Sequence, residues 1–265
     1  MIPFQNLHTH TLFDDGKNSP DDMAEAAIRA GFHSLGFSGH STVPYDNDWT
    51  LKDIPAYLQA ITDAKCRFAG KLDIYNGLEW DIISKQDLSP YEYIIGSIHH
   101  ITIGDEYPSI DDTVEVADDC LARYFDGDKN SMIQAYFAQY DYLAGCDFVD
   151  IIGHFDLLNK FSRFDEDSPL YKDCAMAALE KLAAKDKIFE VNTGAMSRGY
   201  RTVPYPNVFL LKELQAKKCR VLISSDAHST NAIGYAFSDM AELLVSLGFH
   251  EAWYYTPEGF KPFAL

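Results

Sequence analysis

The chain has 265 residues, is 47% hydrophobic and 14% aromatic, and carries a formal net charge of −18. That length suits one (β/α) barrel or two small domains. The acidic balance argues against a broad DNA or RNA surface, which needs Lys and Arg against phosphates. It leaves room for a small phosphorylated substrate, because bound divalent cations invert the local field.

No stretch approaches the ~18 consecutive apolar residues of a membrane span, and the first ten residues lack the basic and apolar regions of a secretory signal. The expectation is a cytoplasmic protein with no membrane partner. Five cysteines without a C-x-x-C pair fit reduced, structural thiols in that compartment.

Apolar runs of strand length alternate with helical segments, the pattern of parallel α/β proteins. The first run, Ile2–Leu7, leads into His8-Thr9-His10. Ser19 and Pro20 open a helix as N-cap and first-turn residue, Asp21 and Asp22 sit near its positive end, and Gly31 stops it. Ser34–Gly39 is a second strand that ends at His40. A helix over Asp53–Ala69 precedes a third strand, Leu72–Leu78, which ends at Glu79. Tyr93–Ile98 runs into His99 and His100. Two helices, Asp111–Phe125 and Ser131–Ala144, then flank a polar turn. Phe148–Gly153 ends at His154. A helix capped by Ser168 and Pro169 reaches Lys185 and precedes Ile188–Thr193. A helix over Asn207–Lys217 precedes Arg220–Ser225, which meets Asp226-Ala227-His228. A helix over Gly234–Leu247 and an aromatic tail, Glu251–Tyr255, finish the chain. With no linker, repeat or low-complexity tract, residues 1–265 read as one domain.

Six of the seven strand candidates end at a potential metal ligand: His8 with His10, His40, Glu79, His99, His154, and Asp226 with His228. In parallel barrels these C-terminal strand ends gather on one face, where active sites sit. H-x-H and D-x-H in extended backbone put both side chains on one face, since strand side chains alternate. Six of the nine histidines fall at this one structural position, whereas His33 and His250 read as ordinary histidines. Six imidazoles with Glu79 and Asp226 exceed a four-coordinate zinc, so the set implies two or three ions bridged by carboxylates. Mixed imidazole and carboxylate donors suit Zn, Fe or Mn. Asp15, in the loop after the first strand, is a further candidate ligand.

This ordered set resembles the PHP (polymerase and histidinol phosphatase) superfamily over essentially the whole chain. The runs Gly77–Asp81, Gly96–His99, Gly153–Leu157 and Glu190–Thr193 resemble its histidinol-phosphate phosphatase branch. The resemblance implies an α/β fold, a distorted (β/α)7 TIM-like barrel. It implies one metal on His8, His10, Glu79 and Asp226, and a second sharing Glu79 with His99 and His154. A third would take Asp15, His40 and His228; many relatives carry His where Asp15 aligns. Lys160 and Arg163 follow the fifth strand and Arg198 and Arg201 the sixth, and guanidinium forks and ammonium groups suit phosphate oxygens; the resemblance implies phosphate binding by Arg198 and then Lys160, with Arg163 and Arg201 as lesser candidates. Ser229 could donate a hydrogen bond to the same group.

The chemistry so implied is two-metal phosphomonoester hydrolysis, with water attacking phosphorus in line. Glu79, Asp226 and His228 are its candidate catalytic groups, and Asp226, His228 or a bound water would supply the leaving group's proton. Asp81 or Glu106 could meet a substrate amine. The expected substrate is L-histidinol phosphate, in histidine biosynthesis. Another PHP phosphoesterase, acting on nucleotides or phosphotyrosine, is the alternative, and a non-enzymatic metal module is a third reading. The sequence carries no signal for an oligomeric state.

Overall fold

The computed structural model describes residues 4–45 and 48–265. The expected first strand begins at Ile2, which lies outside the described residues, as does Pro3; its described part is β1 (Gln5–Asn6). Then follow α1 (Pro20–Arg29), β2 (Ser34–Phe37), α2 (Ile54–Phe68), β3 (Asp73–Asp81), β4 (Tyr93–Ser97) and α3 (Val114–Phe125). Next come α4 (Lys129–Ala138), α5 (Tyr140–Ala144), β5 (Ile151–Ile152), α6 (Pro169–Ala183) and β6 (Ile188–Asn192). The chain ends with α7 (Gly194–Ser197), α8 (Val208–Ala216), β7 (Arg220–Ser224), α9 (Phe237–Ser246), β8 (Glu251–Thr256) and β9 (Gly259–Ala264).

Local chemistry accounts for the helix starts. Ser19 and Asp22 form a reciprocal capping box ahead of Pro20, and Ser168, Asn207 and Thr113 each accept a backbone N–H at their helix ends. The seven strands β1 to β7 pair in parallel in chain order. Thr9 bridges Ala227 beyond the ends of β1 and β7, so the sheet nearly closes into the expected α/β barrel.

Inside the barrel Leu7, Tyr75, Tyr93, Ile95, Ile151, Ile188 and Leu222 form an apolar plug. A larger apolar layer lies between the strands and the surrounding helices. The plug leaves no room for side chains at Gly77, where a Cβ would stand 2.1 Å from the Tyr93 ring. Gly77→Ala is therefore expected to cost about 1–3 kcal/mol through overpacking. A lowered denaturant midpoint would show it, and an unchanged midpoint would mean the plug is loose.

Three expectations change. The fifth strand shrinks to two residues, because Gly145–Asp150 is spent on turns: Val149 N–H donates to Cys146 O, and Phe148 is left 43% exposed. The second insertion helix breaks at Gln139, whose side chain instead holds Thr102 N–H and His100 O. The aromatic tail is a hairpin, β8 with β9, and β9 had no counterpart in the sequence reading. Tyr255 packs against Tyr75 and Tyr93 and is tied through its backbone to Gln5, so the hairpin caps the apolar end of the barrel. The polar end is left as the site.

Candidate metal centre

Each strand delivers its side chain to the same end. Thr9 turns into the sheet, and His8 and His10 project together on its other face, both fully buried. Glu79 sits inside β3, paired with His40, rather than just after the strand. Asp226 leaves β7 with φ of 47°, a left-handed turn that aims both Asp226 and His228 at the centre.

Glu79 is the hub. Its Oε2 lies 3.0 Å from His8 Nε2, 3.5 Å from His10 Nε2 and 2.9 Å from His40 Nδ1. Its Oε1 lies 2.8 Å from His154 Nε2 and 3.2 Å from His99 Nε2. Asp226 Oδ1 lies 3.6 Å from His8 Nε2 and 3.2 Å from His10 Nε2. Asp15 faces His228 Nε2 at 3.1 Å and His40 Nε2 at 3.7 Å. The His10 ring stacks on His40 and His228, with centroids 4.3 and 4.1 Å away. Three sets have donor atoms within 4.8 Å of one another: His8, His10 and Asp226; His10, Asp15, His40 and His228; His40, Glu79 and His99.

These donors fit a metal better than they fit each other. His8 Nε2, His10 Nε2, His40 Nδ1 and Glu79 Oε2 are buried yet make no hydrogen bond of acceptable geometry. Buried polar atoms are rarely left so. Four donors on one tetrahedral zinc stand about 3.3 Å apart, the spacing seen here. The atoms converge on shared points between them.

The field around them is strongly negative. Burial opposes charge on His8, but Glu79, Glu190 and Asp226 outweigh it and raise its pKa well above the ordinary value. Burial likewise opposes charge on His10, yet Asp14, Asp226 and Asp15 push it up to about 10. Burial works against ionising Glu79 and Asp226 too, but His8, His40 and His99 around one, and Arg198 and His8 around the other, hold both carboxyls well below the usual range. A cluster that attracts protons this strongly attracts divalent cations for the same reason, and the two compete.

Sequence reasoning missed the groups that orient the candidate ligands. Glu190 Oε2 holds His8 Nδ1 at 3.0 Å, Asp14 Oδ2 holds His10 Nδ1 at 2.7 Å, and Asp81 Oδ2 holds His99 Nδ1 at 3.0 Å. Each fixes its imidazole with Nε2 facing inward. A signal existed for Glu190: it is the one charge in an apolar strand, and its strand alone ended in no ligand. Glu190→Gln is expected to weaken metal binding about 10–100-fold. Titration of apo-protein with zinc checks this, and unaltered affinity would remove Glu190 from the supporting set.

A cavity of about 220 Å³ opens on the centre, lined by Trp49, Ser109, Asp111, Asp112, Lys160, Arg198 and Tyr200 together with the ligands. Arg198 Nη2 lies 2.9 Å from Asp226 Oδ2. A Cβ at Gly194 would come within 2.6 Å of that carboxylate and 3.0 Å of Arg198 Nη2, so glycine permits their contact.

Several other candidates lie elsewhere. Arg163 pairs with Asp118 on the surface at 2.7 Å. Arg201 is buried and bonds Glu166 and the Asn159 carbonyl. Ser229 is not on the cavity wall, because its chain turns into a 3-10 segment. Asp81 is consumed by His99 and His100, and Glu106 lines a separate groove, so neither faces a substrate in this cavity. His33 and His250 are exposed. The described residues include no helix long and apolar enough to cross a membrane.

The PHP domain family profile matches residues 6–194. The chain belongs to the PHP domain family. As a PHP domain it is similar along its length to a Deinococcus radiodurans protein named "Probable histidinol-phosphatase", at 28% identity over 94% of this chain and 95% of that one. It is also similar to the histidinol-phosphatase of Bacillus subtilis, at 25% identity over 89% of this chain and 97% of that one. Among solved structures, histidinol phosphate phosphatase from Lactococcus lactis, complexed with zinc, L-histidinol and phosphate, matches with a TM-score of 0.74 at 20% identity, covering 98% of this chain and 99% of that one. That structural likeness confirms the PHP fold expected from the sequence.

Proposed function

We propose that this protein is a metal-dependent phosphomonoesterase that hydrolyses L-histidinol phosphate to L-histidinol and phosphate. The observation that carries the chemistry is Glu79, whose two oxygens face two separate histidine sets at the floor of a cavity holding Arg198 and Lys160. Full-length likeness to histidinol-phosphatases supports the substrate. We take residues 1–265 as one catalytic domain working in the cytoplasm, where its five free cysteines would stay reduced.

Two or three divalent ions, Zn, Fe or Mn, would be held. His8, His10, Glu79 and Asp226 form one set; Glu79, His99 and His154 the second; Asp15, His40 and His228 the third. When bound, such ions supply Lewis-acid activation of water and of the phosphoryl group.

The chain's own residues do the rest. Asp226 remains a carboxylate, while burial and the neighbouring His10 keep His228 below the ordinary histidine pKa; both are in the forms that ligate cations. Arg198 presents a planar fork beside Asp226, positioned to bind equatorial phosphate oxygens as negative charge spreads over them. Lys160 adds a point charge on the cavity wall. Leu157 and Trp49 supply apolar wall that limits water around the reacting group.

Phosphate release from L-histidinol phosphate, compared with nucleotides and phosphotyrosine, tests the reading. Preference for L-histidinol phosphate, lost on chelation and regained with metal, is expected. Preference for the panel would favour the alternative phosphoesterase, and activity indifferent to chelation would end the metal chemistry.

A further inference from the structure

The cavity contains one ion pair that no ligand set uses. Asp111, just ahead of α3, and Lys160, after β5, meet on its wall. Lys160 Nζ lies 3.2 Å from Asp111 Oδ2 and also donates to the Asp111 carbonyl. The ammonium sits over the Phe161 and Tyr200 rings, 5.5 Å from each centroid. The two side chains are only 12% and 19% exposed, so the pair is part of the wall and not of the open surface.

We propose that Asp111 is the subsite for an ammonium group on the substrate, and that the Lys160 ammonium occupies this subsite until a phosphate draws it away. The proposal rests on the function argued above and names how that site selects an aminoalkyl phosphate. Of the other cavity carboxylates, Glu79 and Asp15 are engaged by histidines and Asp226 by histidines and Arg198, while Asp112 is exposed to solvent. The side-chain partner of Asp111 is Lys160.

A phosphate dianion entering the cavity attracts Lys160 and is repelled by Asp111. If the ester also carries an ammonium, the contacts exchange one for one. Lys160 passes from carboxylate to phosphate, and the substrate's ammonium passes to the carboxylate. No buried charge is stranded. A nucleotide, or a phosphotyrosine inside a peptide, brings the anion without the cation and leaves Asp111 partly buried and unpaired, which is costly. Asp112, exposed on the same wall, adds a second negative charge against such anions. The selection therefore works largely by penalising wrong substrates. In L-histidinol phosphate the amine is on the carbon next to the phosphorylated one, so both charges fall within one small cavity.

The test compares kcat/KM for L-histidinol phosphate with that for 3-(imidazol-4-yl)propyl phosphate, which lacks only the amine. Wild type, Asp111→Asn and Asp111→Glu are measured at equal zinc content. Wild type is expected to prefer the amine ester about tenfold or more, D111N to bring the ratio near one mainly through KM, and D111E to restore part of it. A wild type indifferent to the amine, or a D111N that lowers both esters in the same proportion, overturns the proposal while L-histidinol phosphate remains the substrate. If wild type instead takes phosphotyrosine or a nucleotide over both imidazolyl esters, the substrate reading falls and this proposal falls with it.

Discussion

Glu79→Gln is expected to lower kcat/KM for L-histidinol phosphate by about 10³-fold or more, because it would remove the anion shared by the two proposed ligand sets and with it the preorganised charge. The amide keeps Glu79's size but cannot satisfy His8, His10 and His40 on one oxygen and His99 and His154 on the other. Its NH₂ group would turn a donor toward an imidazole nitrogen. Metal content should fall with activity, read by elemental analysis of the purified variant. Wild-type activity in E79Q would place the metals elsewhere, and full metal content with lost activity would confine Glu79 to the chemical step.

Arg198→Ala should cost about 10²–10³ in kcat/KM, the scale for losing one preorganised donor to a developing oxyanion. Arg198 also holds Asp226 through Nη2 and its backbone carbonyl through Nη1. Two outcomes are thus separable. Loss of activity with the full metal complement assigns Arg198 to the phosphate, and loss of metal assigns it to steadying Asp226. Arg198→Lys should recover little, since a point charge cannot replace the fork. Gly194→Ala, which crowds both partners at once, should resemble the variant that loses metal.

Much of this centre was legible because strand geometry is simple. A parallel barrel brings C-terminal strand ends together, and alternation puts i and i+2 on one face, so His8, His10, Asp226 and His228 could be grouped without coordinates. The carboxylates behind them were not legible, for a physical reason. Asp14 and Asp15 are neighbours in sequence, yet one backs His10 through Nδ1 and the other faces His228; only the loop's path separates the two. Cations were harder still, because long side chains reach several partners. Arg163 and Arg201 follow strand ends as Lys160 and Arg198 do, but turn to Asp118 and Glu166. β9 was missed because its residues, Gly259–Ala264, contain Lys261 and Pro262 and show no clean alternation; it is held as a strand by pairing with β8.

The seam of the barrel lies where the two ends of the chain meet. Beyond β1 and β7, His10 N–H donates to Ala227 O at 2.9 Å and Ala227 N–H to His8 O at 3.1 Å. These two amides are framed by His8, His10, Asp226 and His228. Cations held by those side chains would thus clasp the longest strand-to-strand closure of the barrel, a contact whose loop entropy is large. The exchange rates of these amides with solvent deuterium should track metal occupancy more steeply than those of β3 and β4, so that the barrel reports its own loading through the opening of one seam.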